Sequence, residues 1–325
     1  MPRCLSMLVE LPAEGYCPRA MRMLAGGRLK FPHRLSFNRS DVIVYRRTAA
    51  PRMSISGVQD KISLKLVRGE LQLTEQGGQY ILKPIPSADI PRFRSDVPAN
   101  EHLTMQIATQ VFGIATAVNA CIRFADGELA YITKRFDRRP DGTKIAQEDF
   151  CQLSNRSEET AGENYKYDAS CEETGRILKQ FCAAYAVEIE KLFARIVFNY
   201  VLSNGDAHLK NFSMLAGAFG DYILTPAYDL ICTSLHFPSD ARTALELFDT
   251  YVSDSFRADA FYRRTDFLKL GEFFGMKPDR IPLYLDVFAA SSDRVHDLID
   301  RSLLSAEAKS DYKARFDDRL RAIGG

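Results

Sequence analysis

From residue 62 to residue 66 the apolar positions fall on every second residue. Ile62, Leu64 and Leu66 alternate with Ser63 and Lys65, the RGE of 68–70 supplies a turn, and a further apolar run, YILKP, carries Lys83. This spacing predicts a strand and hairpin. The stretch DVPANEHLTMQIATQVFG predicts an amphipathic helix: Asp96 stands as N-cap, Pro98 in the first turn, Leu103, Ile107 and Val111 recur at intervals of four, and Gly113 ends it. A second hairpin is expected from 117–123, the turn ADGE and LAYITKRFD. Beyond Asp137 the period becomes helical, in EETGRILKQFCAAYA, in Ile189, Leu192, Phe193, Ile196, Val197, Tyr200 and Val201, and in RIPLYLDVFAASSDRVHDLIDRSL. Between the last two, the short apolar runs 212–215 and 222–225 flank AGAFGD, which predicts a third hairpin. At the start, LSMLVELP could open a strand, and GGRLKFPHRLSFNRSDV reads as an irregular lead-in. A strand-rich first half before a helix-rich second half is the order of an α+β fold with segregated lobes.

Composition narrows the setting. A chain of 325 residues, 46% of them apolar, is large enough for a bilobal unit or two domains. A net charge of +1 supplies no overall attraction to nucleic acid or acidic membranes. No run approaches 18 apolar residues and the first residues lack a charged leader with a long apolar core, so a soluble, cytoplasmic protein without a membrane partner is expected. The seven cysteines (4, 17, 121, 151, 171, 182 and 232) contain no C-x-x-C pair, which favours reduced, mostly buried thiols. The five histidines form no H-E-x-x-H set, and no zinc site is predicted.

The candidate chemistry lies between Phe198 and Ile231. Asp206 is followed by Asn211 and then, past the third hairpin, by Asp229. Phosphoryl transfer from a nucleoside triphosphate needs a carboxylate to orient the accepting hydroxyl, with a carboxamide and a second carboxylate to hold Mg²⁺. In protein kinases these come in this order, as D-x-x-x-x-N and then an Asp beyond a short hairpin. Asp and Asn in loops also cap helices and make turns, so the pair alone is weak; the hairpin and Asp229 make it specific. Lys83, at the inner end of a strand, fits the kinase lysine that grips ATP phosphates, and Glu101, in the first turn of the predicted helix, could pair with it. A first-turn Glu is also favoured by the helix dipole. The basic run 134–139 reads first as a solvated face.

With these residues placed, the chain resembles the HipA-like Ser/Thr kinase toxins of bacterial toxin–antitoxin systems. The resemblance is carried by SISGVQDK (54–61), ILKP (81–84), NE (100–101), RFDRR (135–139), QEDFCQ (147–152), NGDAHLKNFS (204–213) and LTPAYD (224–229). It implies a bilobal protein-kinase-like fold, with residues 1–50 as a short lead-in to the N-lobe, 51–136 as the strand-rich N-lobe and 137–325 as the helical C-lobe. It implies ATP and Mg²⁺ as cofactors and Asp206 as catalytic base, assisted by Lys83, His208 and Lys210. Asn211 and Asp229 would bind the metal. The nucleotide would be held by Ser54, Ile55, Ser56, Gly57, Lys61, Lys83, Glu101 and the hinge Lys134, Arg135 and Phe136, alongside Asp206, His208, Asn211 and Asp229. His208 reads equally well as a hydrogen-bonded structural residue.

Departures refine this. The roughly 50 residues before Ser54 are fewer than the extra N-terminal subdomain of long members, so the chain looks like the short HipT branch. There a small HipS-like protein and a HipB-like helix-turn-helix antitoxin accompany the toxin, and DNA is reached only through the antitoxin. One glycine, Gly57, replaces a G-x-G-x-x-G loop. Ser54 and Ser56 offer two autophosphorylation sites. The family implies a translation component as substrate, typically an aminoacyl-tRNA synthetase. Competing readings are a catalytically silent kinase-like binding module and a small-molecule phosphotransferase of the aminoglycoside type. SISGVQDK and QEDFCQ weigh against the second, and joint retention of Lys83, Asp206, Asn211 and Asp229 against the first. A nuclease using Asp206, His208 and Asp229 would leave Lys83 unexplained.

Overall fold

Period-two alternation produces the first sheet. The computed structural model describes residues 1–27, 30–49, 60–139, 141–217, 220–239 and 241–324, with backbone alone for 46–49. By contact, the chain divides into two compact units: Met1–Gln106, Ala117–Lys144 and Asp297–Lys309 form one, and Ile107–Thr116, Ile145–His296 and Ser310–Gly325 the other. The lobe boundary expected at 136/137 thus falls inside the first unit's middle segment.

In the first unit, β1 (Ile62–Val67), β2 (Glu70–Leu73), β3 (Tyr80–Pro84), β4 (Asn119–Arg123) and β5 (Leu129–Lys134) form an antiparallel sheet in the order β2-β1-β3-β5-β4. Ile62, Leu64 and Leu66 face inward, as their alternation requires. Val67 pairs with Glu70, so the β1–β2 loop is Arg68–Gly69 alone. Both residues have positive φ (51° and 88°), the backbone a two-residue turn of this hand demands. Leu64, Leu82, Ala120, Ile122 and Phe124 meet Leu24, Phe31 and Leu35 from the N-terminal segment in one core.

That segment departs from expectation. Around LSMLVELP the chain forms isolated bridges, Arg3 to Glu10 and Cys4 to Gly15, instead of a strand. The supposed irregular lead-in runs into a helix, α2 (Arg39–Ala49), which follows α1 (Pro18–Ala25). Leu5 and Leu8 are buried, and the Tyr16 hydroxyl donates to the Cys121 carbonyl at 2.9 Å. Burial against the sheet, which local pattern does not report, orders these residues.

Helix α3 (Val97–Gln110) forms where predicted, with Pro98 in its first turn, but it is not amphipathic. Positions 97–108 are all buried, polar ones included. They are tolerated because they are bonded: His102 Nε2 to the Ser6 carbonyl at 2.9 Å, Thr104 Oγ1 to the Asn100 carbonyl at 2.9 Å, and Gln106 Nε2 to Asn119 Oδ1 at 2.9 Å. Asp96 does not cap this helix. It lies in a 3-10 turn (Arg94–Asp96), and its carboxylate accepts from the Ser305 N–H (2.7 Å) and hydroxyl (2.9 Å) at the start of a C-terminal helix.

The second unit is mainly helical: α4 (Phe150–Leu153), α5 (Glu158–Ala161), α6 (Cys171–Phe181), α7 (Tyr185–Val201), α8 (Asp254–Asp259), α9 (Arg264–Phe273) and α10 (Arg280–Ala289), with α11 (Ser292–Arg301) and α12 (Ala306–Gly324) reaching into both divisions of the chain. Its sheet is β6 (Gln147–Asp149), β7 (Ser213–Ala216) and β8 (Tyr222–Leu224), in that order. The predicted third hairpin is β7–β8; β6, from the QEDFCQ stretch, adds a strand the pattern did not announce. A Cβ on Gly175 would lie 2.4 Å from the Phe274 ring, so glycine is needed for α6 to approach that side chain. All seven cysteines are free, six buried and Cys17 half-buried. Among the described residues no helix is long and apolar enough to cross a membrane.

Two stability outcomes follow from these bonds. Asp96→Ala removes both acceptors at Ser305 and is expected to cost about 1–2 kcal/mol in chemical denaturation. At His102, a carbonyl can only accept, so Nε2 carries the proton, and burial holds the ring's pKa down at about 4 against an ordinary 6.5. The folded ring stays neutral while the unfolded one protonates, so stability present above about pH 6.5 drains as pH falls towards 4. His102→Gln, which keeps a donor for Ser6 and cannot ionise, should flatten the denaturation profile across that window.

Candidate active site

In the first unit, Lys83 lies on β3 between buried Leu82 and Pro84, only 4% exposed. Its ammonium donates to Glu101 Oε1 at 2.5 Å, and Glu101, on α3, is 2% exposed. The pairing expected from the sequence therefore forms. Desolvating either charge alone would be expensive, and close contact offsets that cost. The Lys83 ammonium also lies 5.5 Å from the Tyr131 ring centre. Lys61, just ahead of β1, is exposed.

The expected hinge is tied down. The Lys134 N–H donates to the Val118 carbonyl at 2.7 Å and its ammonium to the Met23 carbonyl at 3.1 Å. The Arg135 N–H donates to the Gln79 carbonyl at 2.8 Å. Neither N–H is on offer to an adenine ring. The Arg135 guanidinium grips Asp137 through two bonds, 2.9 and 2.7 Å, and Arg138 adds a third at 2.7 Å. Burial would raise the Asp137 carboxyl, but these guanidinium groups hold it below the usual carboxylate range. Phe136 is half-buried. Ser54, Ile55, Ser56 and Gly57 lie outside the described residues.

In the second unit, α7 delivers the loop that carries Asp206. Ser203 leaves the helix with φ +54°, and the loop then bonds to itself. The Asn204 amide donates to Asn199 Oδ1 (3.0 Å) and its oxygen accepts from the Asp206 N–H (3.2 Å). Gly205 N–H donates to Thr233 Oγ1 at 2.8 Å. The His208 N–H is shared between the Asp206 carbonyl (2.8 Å) and Asn211 Oδ1 (3.1 Å), and the Asn211 N–H returns to the His208 carbonyl at 2.9 Å. On this frame the Asp206 side chain is 55% exposed. Its Oδ1 accepts from the Tyr167 hydroxyl at 2.5 Å and lies 4.0 Å from His208 Nε2. His208 is buried, and its Nδ1 has no partner among the described residues. Burial lowers its pKa, against the pull of the Asp206 charge, so the ring is neutral at neutral pH. Lys210 is exposed, its ammonium 3.5 Å from the Tyr165 hydroxyl.

The β7–β8 hairpin returns the chain towards this loop. Met214 pairs with Leu224, the Thr225 N–H donates to the Ser213 carbonyl (2.9 Å), and the Tyr228 hydroxyl donates to the Lys210 carbonyl (2.8 Å) while also bonding the Ser213 hydroxyl. Asp229, the next residue, is carried back towards the loop, and its charge is felt at His208. The donor types suit Mg²⁺, which takes hard oxygens and few protein ligands. Asn211 Oδ1 spends one lone pair on the His208 N–H and keeps a second.

Two sets of residues escaped sequence reading. Glu188 and Arg195, seven apart on the buried face of α7, fix β8 from below: the Glu188 carboxylate accepts from the Leu224 N–H at 3.2 Å, and Arg195 Nη2 donates to the Thr225 carbonyl at 2.6 Å. Burial lowers the Arg195 pKa to about 10. Charged residues on an otherwise apolar helix stripe were a usable signal. Tyr167, in a coil, gave none.

A family model described as HipA-like C-terminal domain matches residues 53–295. The chain is 28% identical over 284 residues to a Haemophilus influenzae protein named "Putative kinase", covering 82% of this chain and 80% of that one. It is 35% identical over 204 residues to "Putative kinase Y4mE" of Sinorhizobium fredii, covering 60% of this chain and 46% of that one. It is 26% identical over 230 residues to the serine/threonine-protein kinase toxin HipA of Shewanella oneidensis, covering 64% and 49%. The chain thus spans about half the length of those last two relatives. Among solved structures, Shewanella oneidensis HipA, in a complex with HipB and operator DNA, matches with a TM-score of 0.64 at 20% identity, over 88% of this chain and 71% of that one. The Helicobacter pylori proinflammatory kinase CtkA matches with a TM-score of 0.52 at 14% identity, over 80% and 93%. The chain belongs to the HipA-like family and has its kinase-like α+β fold.

Proposed function

We propose that this chain is a protein serine/threonine kinase that uses Mg²⁺ and ATP and acts as the toxin of a bacterial toxin–antitoxin system. The observation that carries the reading is the self-bonded loop that holds a half-exposed carboxylate, Asp206, with Asn211 on the same loop and Asp229 brought to it by the hairpin. The buried Lys83–Glu101 pair supports it.

Asp206 aligns the acceptor hydroxyl and takes its proton as the oxygen bonds to the γ-phosphorus; the bond from that phosphorus to the bridging oxygen breaks, and ADP leaves. Lys83, held by Glu101, neutralises phosphate charge. Asn211 and Asp229 hold Mg²⁺, which when bound offsets the charge of the transferring group. His208, neutral and buried, keeps the loop's shape, and Lys210 stands at its exposed rim. Most of the acceleration comes from positioning.

The acceptor we propose is a translation component, an aminoacyl-tRNA synthetase. A HipB-like antitoxin is the proposed neutralising partner, consistent with the HipB and operator DNA in the Shewanella complex, and a HipS-like small protein would complete a HipT-type system. Phosphate on Ser54 or Ser56 adds about −1.5 to −2 charges and would repel the phosphates of ATP, so autophosphorylation there would restrain the enzyme.

With labelled ATP, Mg²⁺ and the protein acceptors of a cell extract, the wild type should transfer phosphate. Asp206→Asn should lower the rate by roughly 10²–10⁴-fold and abolish growth arrest. Asp229→Asn should do the same. Either variant retaining full toxicity overturns the mechanism. Intact-mass analysis after incubation with MgATP should place added phosphate on the peptide 53–61, and a peptide of unchanged mass removes the autophosphorylation proposal.

A further inference from the structure

Residues 162–169 form a strap of consecutive turns laid along the loop that carries Asp206. The strap is stiffened internally by the Tyr165 N–H to the Gly162 carbonyl (3.1 Å) and the Tyr167 N–H to the Asn164 carbonyl (2.8 Å). Arg156 anchors it, bonding both the Asp168 carbonyl and, at 2.7 Å, Glu173 on α6. It touches the loop at three points: Tyr167 on Asp206, the Lys166 carbonyl on the Leu209 N–H (3.0 Å), and Tyr165 on Lys210. The Tyr167 ring also meets His208 edge-on, with centres 5.1 Å apart.

We infer that Tyr167 is the positioning residue of the proposed base, fixing one oxygen of Asp206 so that the other is presented to the acceptor hydroxyl; the inference rests on the kinase reading. A carboxylate turns readily about its terminal torsion, and a half-exposed one has little packing to hold it. Asp206 gains its restraint from one short, charge-assisted bond at Oδ1, while Oδ2 accepts none from a described residue. The phenol is itself restrained by the His208 edge contact and by the Lys166 ammonium, 4.8 Å from its ring centre. Near-attack geometry depends on such restraint, and small misplacements are costly in rate.

The test compares wild type, Tyr167→Phe, Asp206→Asn and the double variant in the full chain, reading kcat, both KM values and the melting temperature. Tyr167→Phe should lower kcat by roughly 10- to 100-fold while leaving the KM for ATP and the melting temperature unchanged. Because Tyr167 acts through Asp206, adding Tyr167→Phe to Asp206→Asn should lower the residual rate no further. An active wild type with an unaltered Tyr167→Phe overturns the positioning role alone. So does a variant with a raised kcat/KM for the protein acceptor, which would make the phenol a competitor of the acceptor. Additive losses in the double variant overturn it too. A wild type that binds MgATP yet transfers no phosphate overturns the kinase reading and this role together.

Discussion

Polar groups taken out of water must find partners inside, and that constraint shapes both halves of this chain. Glu101 is 2% exposed and tolerable there because the Lys83 ammonium lies 2.5 Å away. A single truncation at either residue would leave an uncompensated buried charge, a change worth on the order of 3–5 kcal/mol. The same demand runs along α3, where His102, Thr104 and Gln106 are buried and bonded. Bonds of this kind are directional, so they set the helix in one rotation against the sheet. The position of Glu101, and with it the reach of Lys83, is thereby fixed more tightly than apolar packing alone would fix it.

How far the sequence could be read follows from the range of each interaction. The β1–β2 hairpin was legible because alternation and the Arg68–Gly69 turn are local. The Asp206–Asn211 loop was legible because most of its frame lies between Asn199 and Asn211, with Thr233 and Lys166 adding two more distant bonds. Asp96 was misread because its partner, Ser305, is 209 positions away, and a nearby helix start offered an easier role. The N-terminal bridges were missed for the same reason, since Tyr16 is ordered by Cys121. Helix α3 was read as amphipathic because Glu101, His102 and Gln106 look like a solvent face until their partners are known. Tyr167 had no periodic context at all.

Strain at the second unit's loop shows how the distant and local bonds cooperate. Ser203 and Asp229 both adopt φ +54°, a left-handed backbone that costs an L-residue about 1–2 kcal/mol. The two residues flank the segment that carries Asp206 and Asn211, one where the chain leaves α7 and one just past the hairpin. Each is over-determined by neighbours. The Ser203 carbonyl accepts from Thr233 Oγ1 at 3.3 Å, and Thr233 also receives the Gly205 N–H. Ahead of Asp229, Glu188 and Arg195 hold the Leu224 N–H at the end of β8 and the Thr225 carbonyl just beyond it, while Tyr228 bonds back to Lys210.

A relaxed backbone at either residue would turn its side chain or its successor away from the loop. Strain of this kind persists only where the surroundings enforce it. At Asp229 the enforcement comes largely from one helix, α7, whose apolar stripe anchors it and whose two buried charges reach the hairpin. It follows that Arg195 and Glu188 matter through the direction Asp229 takes rather than through any contact with substrate. Asp229, proposed above as a metal holder, is thus as dependent on charges buried in α7 as Lys83 is on the charge buried in α3.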